Sequence, residues 1–190
     1  MNALSPEARH AQDVLDQAER IHDEQAVHLA VRKMAERITA DLAEADPLIL
    51  CVMNGGLVPT AMLMPHLLFP WKLDYLHATR YHEQTSGTEL VWQRTPAQSL
   101  TGRHVLVIDD ILDEGHTLEA ILHYCDTQKP ASLRAAVLTQ KTDDRRVCPP
   151  VDYIGLTVPN RYVFGCGMDY RGYWRNLSAI YASPERLEGH

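Results

Sequence analysis

A chain of 190 residues without a linker-like stretch is long enough for one hydrophobic core, so a single domain over residues 1–190 is expected. With 45% hydrophobic and 23% charged residues it has an ordinary globular composition, and no apolar run approaches the roughly 20 residues of a membrane helix. A net charge of −7 gives no electrostatic footprint for nonspecific nucleic-acid binding, so neither membrane nor nucleic acid is an expected partner.

The N-terminus MNALSPEARHAQDVLDQAER has neither a basic n-region nor an apolar h-region, and a cytoplasmic location is the expectation. Cys51, Cys125, Cys148 and Cys166 form no C-x-x-C pair, which fits neither a zinc site nor a disulfide framework. They read as small core or surface residues. Between Asp13 and Glu44, apolar residues at Val14, Ala18, Ile21, Val27, Ala30, Val31, Met34, Ile38 and Leu42 have helical spacing. Two helices with a break near His22 to Gln25 are expected.

Pro47 introduces an apolar strand, Leu48 to Met53, followed at once by Asn54-Gly55-Gly56. A helix from Leu57 to Leu68 follows, with Pro59 in its first turn and Pro65 marking its end or a kink. Trp71 to Thr79 reads as a strand, Arg80 to Thr88 as a long polar loop, and Glu89 to Trp92 as a short returning strand. Loops of that length are often lids.

The stretch VLVIDDILDEGHTL, Val105 to Leu118, is the centre of the chain. Val105-Leu106-Val107-Ile108 suits a strand buried on both faces of a parallel sheet, ending at Asp109-Asp110. Asp113 to Thr117 is a polar glycine loop, and helical spacing resumes at Leu118 and should stop before Pro130. Ala131 to Thr139 is another apolar strand, ending at Gln140-Lys141-Thr142. Val151 to Leu156 is a further strand, and from Thr157 the chain turns aromatic and irregular.

Alternating strands and helices argue for a mostly parallel sheet flanked by helices. Its strand ends, carrying Asn54-Gly55-Gly56, Arg80-Tyr81, Asp109-Asp110, Asp113 to Thr117 and Lys141, then lie on one edge and form one pocket. The Walker and dinucleotide-binding glycine patterns are absent. Two adjacent carboxylates before a loop that feeds a helix N-terminus can bond the hydroxyls of a ribose, or hold magnesium through water, while the loop takes a phosphate. Taken alone, the same residues would only cap a turn and a helix.

Val107-Ile108-Asp109-Asp110-Ile111-Leu112-Asp113-Glu114-Gly115-His116-Thr117 resembles the phosphoribosyl-pyrophosphate motif of the type I phosphoribosyltransferases, and Met53-Asn54-Gly55-Gly56 resembles their pyrophosphate loop. Lys141 and the tail Val158 to Tyr170, with Tyr173-Trp174-Arg175, are similar to the hypoxanthine-guanine branch. The resemblance implies the type I phosphoribosyltransferase fold, with a core over about residues 48–156 and a small hood built from N- and C-terminal segments. It implies magnesium-dependent transfer of a phosphoribosyl group from phosphoribosyl pyrophosphate to a 6-oxopurine, giving IMP or GMP and pyrophosphate, by a homodimer or homotetramer.

It also implies a role for each matching residue. Asp109 and Asp110 hold the ribose hydroxyls, and Glu114, Gly115, His116 and Thr117 cradle the 5-phosphate. Asp113 exchanges a proton with the purine N7. Asn54, Gly55 and Arg175 take the pyrophosphate, and a non-proline cis peptide joins Met53 to Asn54. Lys141, Tyr162, Val163, Met168 and Asp169 bind the purine, Lys141 donating to its 6-oxo group. Asp169, with Asp109 and Asp110, serves the magnesium ion, and Arg80-Tyr81 closes as a lid. Glu114 stands where Thr or Ser is usual, Asn54 where a basic residue is frequent, and Asp109 where Glu is common. The other readings are a transferase preferring xanthine or another nucleobase, and a regulator of the same fold that senses phosphoribosyl pyrophosphate.

Overall fold

The computed structural model describes residues 4–80, 90–142 and 149–184. A six-stranded sheet carries the site. Its strands are β2 (Leu48–Met53), β3 (Lys72–Arg80), β4 (Leu90–Arg94), β5 (His104–Leu112), β6 (Ser132–Lys141) and β7 (Tyr153–Val158), in the order β4-β3-β2-β5-β6-β7. Only β4 runs antiparallel to its neighbour.

Helices cover both faces. Helices α2 (Glu24–Leu42) and α3 (Leu57–Leu63) pack on the face of Ile49, Leu106, Ile108, Ala136 and Leu138. Helix α4 (His116–Thr127) packs on the opposite face, against Leu50, Val105, Val107, Ala135 and Val137. Alternate residues of one strand thus enter two different cores, which is why these strands read as continuous apolar runs. The connections leaving β2 and β5 lie on opposite faces, so a crevice opens between the carboxyl ends of these two neighbours, the usual ligand position in such a sheet.

The two expected N-terminal helices are present, but the break between them is structured. Helix α1 (Pro6–Gln17) starts at an N-cap Ser5 with Pro in its first turn, and β1 (Glu19–His22) fills the break before α2, which is capped by Asp23. The tail is likewise ordered, with β8 (Val163–Phe164) and β9 (Ile180–Ala182) joining β1 in a sheet of order β1-β9-β8. This small sheet joins the two ends of the chain, as expected of the hood. Its strands are too short to show a period.

Other boundaries shift. The helix from Leu57 ends at Leu63 and tightens into a 3-10 turn, Met64–His66, around Pro65. β5 does not stop at Asp109-Asp110 but runs to Leu112, because β6 pairs alongside it as far as Gln140. α4 begins at His116 rather than Leu118, and β7 lies two residues later than expected. Cys51, Cys125 and Cys166 are free and buried, and Cys148 lies outside the described residues.

Candidate active site

A glycine loop forms where β5 gives way to α4. Gly115 sits at φ 91°, a left-handed conformation that glycine adopts without a Cβ clash, and serves as N-cap of α4. The first-turn N–H groups of α4, with the positive end of its dipole, would favour an anion there. A cavity of about 320 Å³ is lined by Met53, Gly55, Asp109, Asp110, Asp113, Glu114, Gly115 and Thr117, among others. Asn54 and His116 are exposed and do not line it.

Asp109 and Asp110 stand at the crevice. Asp109 is buried, and its Oδ1 accepts from the Asp110 N–H at 2.9 Å. Burial pushes the Asp109 carboxyl well above its ordinary range, reinforced by the neighbouring Asp110 charge, and burial raises Asp110 too. The Arg175 guanidinium opposes both shifts.

The Met53–Asn54 peptide is cis, as the resemblance implies. A Cβ on Gly55 would fall 2.0 Å from Asp110 Oδ2, so glycine lets the loop after β2 lie against this carboxylate. The tail closes on the same loop, since a Cβ on Gly167 would fall 2.2 Å from the Gly55 carbonyl oxygen.

A second cavity, of about 220 Å³, is lined by Asp110, Ile111, Asp113, Lys141, Tyr162, Val163, Met168 and Asp169. It shares Asp110, Ile111 and Asp113 with the first. Lys141, the last residue of β6, is only 4% exposed, and its Nζ lies 2.7 Å from Asp113 Oδ2. Across the cavity, Arg175 Nη2 lies 2.7 Å from Asp169 Oδ1, while its Nη1 donates to the Gly167 carbonyl at 2.7 Å. Asp169 Oδ2 also accepts from the Gly172 N–H at 2.6 Å. Burial raises the pKa of the Tyr162 hydroxyl.

Gly55, Asp109, Asp110, Asp113, Glu114, Gly115, Thr117, Lys141, Tyr162, Val163, Met168 and Asp169 therefore meet in two adjoining cavities at one sheet edge, whereas the expected Asn54, His116 and Arg175 line neither. Arg80 contributes backbone to the end of β3, and Tyr81 with the rest of the expected lid lies outside the described residues. Sequence reasoning missed Ile111, which lines both cavities, and Thr139, which donates to the Asp110 carbonyl at 3.0 Å and contacts Met168. It also gave no role to Gly167, although the Gly165-Cys166-Gly167 spacing signals a tight turn.

The model of the phosphoribosyl transferase domain family matches residues 17–171. Hypoxanthine-guanine-xanthine phosphoribosyltransferase of Tritrichomonas foetus is 31% identical over 88% of this chain and 92% of its own length. Hypoxanthine-guanine phosphoribosyltransferase of Streptococcus pneumoniae is 31% identical over 87% of this chain and 92% of its own. A substituted hypoxanthine phosphoribosyltransferase of Trypanosoma cruzi, solved as a ternary substrates complex, superposes with a TM-score of 0.80 at 31% identity, covering 87% of this chain and 95% of that one. With its motif, sheet order and family match in agreement, the chain belongs to the phosphoribosyl transferase family.

Proposed function

We propose that the chain is a purine-salvage enzyme, transferring the 5-phosphoribosyl group of phosphoribosyl pyrophosphate to N9 of hypoxanthine or guanine to give IMP or GMP. The observation that carries this reading is the pair of adjoining cavities. One has a phosphate cradle, the other a buried ammonium, and Asp113 stands between them. A 6-oxo group accepts from Lys141, whereas the 6-amino group of adenine would leave that ammonium without an acceptor.

In this reading the loop from Glu114 to Thr117 binds the 5-phosphate at the α4 N-terminus, and Asp109 and Asp110 take the ribose hydroxyls. The purine inserts against Tyr162, Val163 and Met168, with Lys141 moving from Asp113 to the 6-oxo oxygen. The bond from the ribosyl carbon to the pyrophosphate oxygen breaks as the bond to N9 forms, and Asp113 takes the proton released by the purine at N7. Arg175, with the Asn54-Gly55 backbone, exchanges its contact with Asp169 for the departing pyrophosphate.

No cluster of three or more metal-ligating side chains occurs among the described residues. Magnesium binds through one or two carboxylates plus substrate phosphates. Asp109, Asp110 and Asp169 are the carboxylates that would hold magnesium, which would supply charge neutralisation for the leaving pyrophosphate.

A homodimer or homotetramer in the cytoplasm goes with this reading. Exposed Leu57, Leu68 and Leu73 offer apolar surface for association, and no helix among the described residues is long and apolar enough to cross a membrane.

The test mixes the protein with phosphoribosyl pyrophosphate, magnesium and each of hypoxanthine, guanine, xanthine and adenine, following nucleotide formation. Product with the 6-oxopurines is expected. Product with adenine alone would overturn the role of Lys141, and no product with any base would favour a sensor of phosphoribosyl pyrophosphate.

A further inference from the structure

Helix α1 stands outside the family match, which begins at Gln17, the last residue of this helix. It is nonetheless anchored to the tail that forms the base cavity. His10 Nε2 lies 3.0 Å from the Tyr170 hydroxyl, and Trp174 Nε1 donates to the Ala11 carbonyl at 2.8 Å. Ala11 and Val14 share a buried cluster with Phe164 and Tyr170.

The tail needs such an anchor. Cys166, Arg171 and Trp174 hold positive φ values of 53°, 49° and 70°, a region that residues with a Cβ seldom occupy unless tertiary contacts impose it. Tyr170 lies in the middle of this stretch and is 1% exposed. It does not line the base cavity, but its ring meets Tyr162, which does, edge to face at 5.4 Å between centroids. Tyr162 is therefore oriented from behind by a tail residue that is itself tied to α1.

We propose that Tyr170, held by His10 of α1, is a positioning residue that fixes the plane of the Tyr162 ring and so sets affinity for the base. The proposal rests on the reading of Tyr162 as a base platform. A stacked base gains from a ring held parallel to it, and an edge contact is what prevents the Tyr162 ring from tilting.

The test uses the full chain with Tyr170→Phe, which removes only the hydroxyl, and with His10→Ala and His10→Gln. Two quantities are read: KM for hypoxanthine against kcat, and the fluorine NMR line of Tyr162 in protein labelled with fluorotyrosine, assigned through Tyr162→Phe. Tyr170→Phe and His10→Ala, which keep the Tyr170 ring but release it from α1, are expected to raise KM for the base by up to about ten-fold, the worth of the edge-to-face contact if the released ring no longer makes it. They should leave kcat and KM for phosphoribosyl pyrophosphate near their original values and displace the Tyr162 line. His10→Gln, which keeps a hydrogen-bonding side chain, should restore much of both. An unmoved Tyr162 line with an unchanged base KM overturns the proposal, as does an equal rise in KM for both substrates, which marks general loosening. If the unaltered chain transfers to no base, the enzyme reading fails, and the Tyr162 line still decides whether α1 governs that ring.

Discussion

The two halves of the site handle charge in opposite ways. At the sugar-phosphate half, Asp109 and Asp110 are adjacent on one strand, and burial pushes both toward the protonated form. At the base half, opposite charges have already met: Lys141 with Asp113, and Arg175 with Asp169. The first half is under electrostatic tension that a cation-bearing sugar phosphate relieves. The second is satisfied, and on the proposed reading the purine and pyrophosphate would have to replace its internal partners. Affinity for phosphoribosyl pyrophosphate should therefore fall when the acid pair is neutralised, whereas base discrimination depends on the cost of stranding a buried ammonium.

The largest test of this contrast is Asp113→Asn, which keeps the shape of the residue joining the halves but removes its basicity. Turnover should drop by about 10²- to 10⁴-fold, the usual worth of a general base, with substrate binding retained. Steady-state kinetics beside equilibrium binding of the nucleotide product would show this, and near-normal turnover would end the assignment.

A smaller effect is expected of Lys141→Gln, which removes the buried charge and leaves a neutral amide donor. Losing one charged hydrogen bond of about 1.5–3 kcal/mol should lower kcat/KM for hypoxanthine by roughly ten- to hundred-fold. Discrimination against adenine should shrink in parallel. Unchanged discrimination would mean that the base is selected elsewhere in the cavity.

The smallest effect, and the one of opposite sign, concerns stability. Because the folded-state pKa of Asp109 is raised, the fold is favoured below the ordinary carboxyl value of 3.8, and that advantage is lost as pH rises through the higher folded value. Above the ordinary carboxyl pKa the ligand-free protein carries the cost of burying this group. Asp109→Asn should raise Tm, with a gain of about 1 kcal/mol from relieving the desolvation penalty, and should flatten the decline of stability above the ordinary carboxyl pKa. The same variant should bind phosphoribosyl pyrophosphate more weakly. A fall in Tm at neutral pH would show that the carboxylate is structurally compensated.

The halves also differ in how openly the sequence declares them. The sugar-phosphate half is one continuous run, and its strand, acid pair, glycine and helix each have a local cause: apolar burial on two faces, and a left-handed residue before a free helix N-terminus. The run could be read directly, apart from the end of β5, where pairing with β6 carried the strand past its acidic residues to Leu112. The base half is assembled from Asp113, Lys141 and residues 162–175, far apart along the chain, so pattern reached Asp113 and Lys141 only as polar strand ends, and resemblance singled out the tail.

From the sequence alone followed the alternation of strand and helix, the parallel sheet, and the placing of polar strand ends on one edge, since these depend on short-range periodicity and on the shared polarity of parallel strands. Tertiary structure alone decided the partners. It set Lys141 against Asp113 and Arg175 against Asp169, brought Gly167 onto Gly55, and linked His10 to Tyr170 across nearly the whole chain. Contacts of this kind depend on the packing of distant segments, and no local spacing encodes them.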